Sequence, residues 1–360
     1  MSMPNQPSIE SEPLTTQVAI VGAGPIGLEL AVALIRRGIP HQVFDAGTVG
    51  NTIAWWAPQT RWFSSNERIA IAGVPLLTVD QSKATREEYL TYLRGVATQY
   101  GIGVQTHCPV VDIAKDGGEF IVTTNPASGK THWRADAVVL ATGGTDFPRR
   151  LEIPGDDLPH VDGYLRETHR YFGRRVLIIG GRNSAIEAAL RLHHAGAVVS
   201  LSYRGESLPE EGIKYWLLPE IKGLLKSGRI RDLTGTVPIE ITTGSVRLES
   251  VRDQSLVDVQ ADEVLCLIGY EQDKTLMRNA GVELLGPMLR PSFDERTMET
   301  NVPGIYVAGT ATAGTQSSKY KIFLENCHDH VDKIVASLTG KPVDSAPRRY
   351  SDQIAMEPES

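Results

Sequence analysis

At 360 residues the chain is long enough for two domains with separate cores, and its 41% hydrophobic and 22% charged residues are ordinary for a globular protein in water. A formal net charge of -7 argues against a nucleic-acid surface, and no apolar run reaches membrane-spanning length. Three scattered cysteines, Cys108, Cys266 and Cys327, exclude a disulfide framework or a zinc site and fit a reducing cytoplasm.

Met1 to Pro13 is polar and lacks a secretion pattern, so it reads as a loose tail, as do residues 346–360. Val18 to Val21 is a short apolar strand, followed at once by Gly22-Ala23-Gly24-Pro25-Ile26-Gly27. In such a G-x-G-x-x-G turn the first glycine makes the bend, the second lets a diphosphate approach, and the third lets helix pack on strand. A helix to Gly38 and a strand ending at Asp45 complete the unit, with the acid placed to bind a ribose hydroxyl. The loop after Asp45 carries Asn51, Thr52, Trp55 and Trp56; the tryptophans either wall a flat ligand or fill a domain interface.

Thr85 and Glu88 form a capping box that opens a helix over Glu87 to Tyr100. Strands follow at Gly103–Thr106 and Val110–Ile113, then a hairpin from Phe120–Thr123 to Thr131–Trp133. Ala135 to Leu140 is a buried strand with a small-residue exit at Ala141-Thr142-Gly143, and the Pro-rich stretch after it reads as a linker.

Val176 to Arg204 echoes the first unit: a strand, Gly180-Gly181-Arg182-Asn183-Ser184-Ala185, a helix, and a strand ending at Tyr203. Arg204 stands where an acid would meet a free 2′-hydroxyl, so this site favours the 2′-phosphate of NADPH, with Arg182 adding positive charge; the alternative is two solvated surface arginines. A helix is expected over Trp216–Ser227, and Ala261 to Tyr270 should return the chain to the first domain. Asn301 to Thr310 is another strand ending in glycine, and a helix is expected over Tyr320–Leu338. His193, His194, His328 and His330 lack convergent partners and read as core or surface residues, not metal ligands.

The two glycine turns, the Ala141-Thr142-Gly143 exit and Asn301 to Gly309 together resemble the thioredoxin-reductase-like flavoproteins over nearly the whole chain. Gly50–Ile53, Arg61–Ser65, Gly181–Ala185, Ile213–Pro219 and Ile322–Asn326 resemble the bacillithiol-disulfide reductase group more narrowly. The resemblance implies an α/β fold of two Rossmann-like dinucleotide-binding domains, the NADPH domain inserted into the FAD domain. Expected boundaries are 1–155 and 271–345 for FAD and 156–270 for NAD(P)H. It implies FAD held by Gly22, Gly24, Pro25, Ile26, Gly27, Asp45, Asn51, Thr52, Val110, Ala141, Thr142, Gly143, Gly309, Thr310, Lys321 and Ile322. NADPH would be held by Gly180, Gly181, Arg182, Asn183, Ser184, Ala185, Tyr203 and Arg204.

Departures limit the carry-over. Thioredoxin reductases have a Cys-x-x-Cys pair in the nucleotide domain, where this chain has only Cys266. The bacillithiol group typically has a cysteine where Ile26 stands, and such flavoproteins usually have an acid where Thr310 stands. Any disulfide reduction then needs Cys327 as the catalytic thiol, direct flavin chemistry, or a different substrate altogether; the alternative for Cys327 is a packed helix position, and Cys266 reads as a core thiol. The expected acceptor is a low-molecular-weight disulfide or a small redox protein, with no nucleic acid and no membrane, and a cytoplasmic homodimer is expected. A flavin monooxygenase or oxidase, which Phe172-Gly173 faintly resembles, and a non-catalytic nucleotide sensor remain the alternatives.

Overall fold

The computed structural model describes residues 14–315 and 322–341. Its first layer is a seven-stranded sheet. Leu14–Val21 lies at its centre between the parallel strands His41–Phe44 and Thr131–Leu140, with Val104–Gln105 outside His41–Phe44. The segments expected as a hairpin arm and a separate buried strand are one continuous strand, Thr131–Leu140. Its first half pairs antiparallel with Glu119–Thr124, while Val138 to Leu140 receive Ile305–Val307 in parallel. The chain thus leaves this sheet at Leu140 and returns to the same strand about 165 residues later, as expected for a domain inserted into another.

The inserted layer is an all-parallel five-stranded sheet in the order Arg231–Thr234, Val198–Tyr203, Arg175–Ile179, Glu263–Cys266, Val161–Asp162. Three antiparallel strands, Thr236–Ile241, Ser245–Ser250 and Leu256–Gln260, cover it. Parallel strands fed by crossover helices put ligand sites beyond their carboxyl ends, and the inserted sheet and the parallel part of the first sheet have that form. The outgoing and returning linkers pair with each other, Phe147–Pro148 against Tyr270–Glu271.

Local signals decide several boundaries. Thr85 accepts from Glu88 N–H while the Glu88 carboxylate accepts from Thr85 N–H, so the capping box is formed and the helix runs Arg86–Gln99. Gly38 closes the first helix in the left-handed region, with φ of 65°. Arg36, just past the end of that helix, donates to Ala72 O and the Tyr100 hydroxyl. Two helices start later than expected. Pro219 takes the first turn of Leu218–Lys226, where its missing N–H costs nothing. The last helix is His328–Thr339, preceded by a short 3-10 turn at Leu324–Asn326. No helix among the described residues is long and apolar enough to cross a membrane.

Beside the linkers, Asp146 accepts the Asp273 N–H at 2.8 Å. Burial pushes its carboxyl up to about 6, helped by the Asp273 charge and opposed by that N–H and by Lys274. A raised carboxyl favours the folded state most when protonated. Its contribution is complete below the unfolded value of 3.8 and is lost as pH rises through about 6. Asp146→Asn is therefore expected to flatten part of the fall in melting temperature between pH 5 and 7. Parallel melting curves of the two proteins that fall alike would refute this.

Candidate active site

The two glycine turns are tied to their sheets by matching backbone bonds. Gly22 N–H donates to Phe44 O and Gly180 N–H to Ser202 O, each bond tying the turn to the neighbouring parallel strand. Ala141 N–H reaches Val21 O, and Leu267 N–H reaches Ile179 O. Gly22 has φ of 113° and Gly180 of 143°, and a Cβ would lie 2.3 Å from Ala141 O in one and 2.4 Å from Leu267 O in the other. Glycine is required at both places by conformation and by space. At the third position a Cβ on Gly27 would lie 1.9 Å from Gly22 O, whereas the second turn admits Ala185.

The middle position differs in kind. Gly24 has an ordinary φ of -74°, and a Cβ there would meet nothing within 4 Å. It caps the helix Pro25–Ile35, which has no side-chain cap of its own. An open glycine below uncapped N–H groups is a cradle for an anion that the protein itself does not fill. Arg182 holds the matching position above the helix Asn183–His194, also without a side-chain cap. Arg182 and Arg204 are both exposed, and neither forms an ion pair with a described residue. The Tyr203 ring packs over the turn, since a Cβ on Gly181 would fall 2.4 Å from it.

Asp45 folds back on the first turn. Its two oxygens accept Ala23 N–H and Gly47 N–H, both at 2.8 Å, which leaves further lone pairs for a hydroxyl. Burial pushes its carboxyl up, against those two bonds and the nearby His107. Asn51 and Thr52 open a one-turn helix, Asn51–Ala54, and the Asn51 amide packs on Gly47. Val110 is half-buried at the bulged start of Val110–Asp116. Across the cradle, Gly309 N–H donates to His330 Nδ1 at 3.1 Å, and burial holds His330 toward its neutral form. Ile26 packs against Gly309, and among the described residues the Thr310 side chain has no hydrogen bond. Ile322 is half-buried against the core of the first sheet, while Lys321 lies outside the described residues.

A cleft of about 660 Å³ separates the two layers. Trp55, Trp56, Phe63 and Phe323 wall it from the first layer, and Asn183, Ser184 and Tyr164 from the second. Trp55 also meets Tyr164 edge to face at 5.6 Å, so wall and interface are one role. Arg191 donates to Pro58 O, and Phe63 stacks on Trp216 at 5.8 Å with the Lys83 ammonium over both rings. The carboxyl end of the second sheet, with its uncapped helix, thus opens toward the loop that follows Asp45.

The family described as pyridine nucleotide-disulphide oxidoreductase matches residues 19–309, which takes in both glycine turns and both strand exits. The chain belongs to that family. Bacilliredoxin reductase Bdr of Bacillus subtilis (strain 168) is 35% identical over 320 residues, 89% of this chain and 96% of that protein. The solved bacillithiol disulfide reductase Bdr (YpdA) from Bacillus cereus is 34% identical, with a TM-score of 0.85 over 91% of this chain and 99% of its own. Ferredoxin–NADP reductase 2 of Oceanobacillus iheyensis is 25% identical over 310 residues, 81% of this chain and 84% of that protein.

This pyridine nucleotide-disulphide oxidoreductase has no exposed thiol. Cys108, Cys266 and Cys327 are all buried and unpaired. Cys327 has no exposed surface, and its Sγ donates to Phe323 O at 3.1 Å. Burial drives its pKa far upward, and the charges of Asp329 and Glu325 add to that. Burial thus disfavours the thiolate at Cys327, the catalytic candidate of the sequence, because the ion would lose its hydration without gaining a cation. Cys266 is held up to about 12 by burial. Iodoacetamide at pH 8 is expected to spare all three thiols in the native protein and to modify them after unfolding, as read by intact mass. Fast native alkylation of Cys327 would overturn this.

Two buried polar groupings leave no signal in residue spacing. Glu29, mid-helix in Pro25–Ile35, pairs with His328 at 2.6 Å and accepts Ala72 N–H, while His328 also meets Arg68 O. These bonds fix the last helix onto the first. The second grouping surrounds Gln272. Among the described residues no three His, Cys, Asp or Glu side chains are arranged to hold a metal ion.

Proposed function

We propose that this protein is an FAD-dependent NADPH oxidoreductase that reduces a low-molecular-weight disulfide to two thiols. One observation carries the reading: two like-built glycine turns, one open at Gly24 and one flanked by unpaired arginines, lie on sheets that share an aromatic-walled cleft. In this reading the chain divides near residues 155 and 270 into a discontinuous FAD domain and an inserted NADPH domain. The N–H groups above Gly24 hold the FAD diphosphate, Asp45 takes a ribose hydroxyl, and Thr142, Gly143, Gly309 and Thr310 border the flavin end. Asn183 and Ser184 take the NADPH diphosphate, and Arg182 and Arg204 its 2′-phosphate. Bound FAD would supply the two-electron chemistry between NADPH and the acceptor. The overall change balances as NADPH, a proton and R–S–S–R giving NADP⁺ and two R–SH.

What the chain itself contributes is position. Trp55 and Trp56 give the cleft an apolar wall, and the Arg191 and Lys83 bridges hold the two layers together. With all three thiols buried, the disulfide has to take electrons without a protein cysteine as relay. The same burial favours a second reading, in which a small redox protein is the acceptor, and the ferredoxin–NADP reductase relative supports it. We place the protein in the cytoplasm, where thiols stay reduced, as a homodimer. Anaerobic reduction with NADPH, followed by a panel of small disulfides, ferredoxin-type proteins and oxygen, tests the reading. Disulfide-dependent NADPH consumption without peroxide is expected. A protein that binds no flavin, or that makes peroxide and reduces no disulfide, rules it out.

A further inference from the structure

We infer that Gln272 and Thr142 form a neutral subsite for the hydroxylated side chain of the flavin, an inference that rests on the FAD reading above. Gln272 belongs to the linker that returns from the inserted domain, one residue beyond the Tyr270–Glu271 pairing with Phe147–Pro148. Its position is nonetheless deep in the first layer, with 5% of its surface exposed. Its Nε2 donates to Gly143 O and to Ala311 O, both at 3.0 Å. Those carbonyls belong to the exits of the two neighbouring strands, Thr131–Leu140 and Ile305–Val307, that border the Gly22 turn. The amide therefore straps together the two edges of the cradle.

The other end of the same amide is unsatisfied. Among the described residues, Gln272 Oε1 is buried without a hydrogen-bond partner, and so is Thr142 Oγ1, one residue before Gly143. Buried polar atoms are rarely left unpaired, and each one needs a reason. An amide oxygen can only accept, and a hydroxyl can do both, so the pair suits a ligand with hydroxyl donors. Its neighbours on the far exit, Gly309 and Thr310, bring no charge to the cradle. Recognition at this end of the flavin then depends on neutral acceptors, and the linker residue Gln272 is one of them.

The test compares wild type, Gln272→Met and Thr142→Val as apo-proteins, measuring FAD affinity by quenching of flavin fluorescence and stability by melting. Thr142→Val removes an orphaned hydroxyl without touching the strap. It is expected to weaken FAD binding about tenfold while leaving the apo melting temperature unchanged or higher. Gln272→Met breaks the strap as well, so it should melt earlier and also bind FAD at least tenfold more weakly. Wild-type FAD affinity in Thr142→Val overturns the subsite, including where Gln272→Met does not fold. So does a Gln272→Met protein that melts early yet binds FAD as wild type does, since a strap alone would give that result. A wild-type protein with no FAD affinity instead refutes the cofactor reading underneath.

Discussion

Gly24→Val is expected to give a folded protein that has lost its flavin. Its φ of -74° is open to any residue, and a Cβ meets no protein atom within 4 Å. Nothing inside the protein asks for glycine there, so the demand comes from a diphosphate that must lie against the backbone. A branched side chain would occupy that space and screen the helix N–H groups. The expected result is a melting temperature for the apo-protein within a few degrees of wild type and FAD affinity lower by at least about 100-fold. Gly22→Ala and Gly27→Ala are the contrast. Their Cβ atoms would fall 2.3 Å and 1.9 Å from backbone oxygens, so these variants should misfold before cofactor binding can be measured. Circular dichroism and flavin fluorescence separate the two outcomes. Full flavin content in Gly24→Val would show that no diphosphate crosses the turn at this point.

The second large effect concerns the other nucleotide. Removing both Arg182 and Arg204 is expected to raise the KM for NADPH by about 10- to 100-fold, given roughly 1.5–3 kcal/mol per charged hydrogen bond reduced by solvent screening. Both side chains are exposed and unpaired, so neither loss should disturb the fold. NADH has no 2′-phosphate, and its KM should change less than about threefold. With the contact made equally in ground and transition states, kcat should hold. Raising the salt concentration should weaken wild-type NADPH binding in the same sense. Equal losses for NADPH and NADH would show that the arginines do not select the phosphate.

Much of the fold was legible because its signals are local. The capping box at Thr85 and Glu88, the left-handed stop at Gly38 and both glycine turns depend on residues a few places apart, and each formed as read. Helix starts were less legible. His328 begins its helix later than the apolar spacing suggests, because Leu324–Asn326 first packs as a 3-10 turn with Leu324 in the core. The site divided in the same way. The glycines and arginines of the proposed site could be named from spacing, whereas the burial of Cys327 could not.

By itself the sequence determined the two dinucleotide-binding units, their order, and the absence of a paired dithiol, since these follow from residue type at short spacing. Only the tertiary structure decided that Gln272 straps Gly143 to Ala311, that Glu29 holds His328, and that Arg191 and Phe63 bridge the cleft. Those contacts join residues 39 to 299 positions apart, or 153 for Phe63 and Trp216. Chain-local propensity carries no record of such pairs; packing two sheets and two linkers brings them together, and the polar groups buried in the process must find partners there.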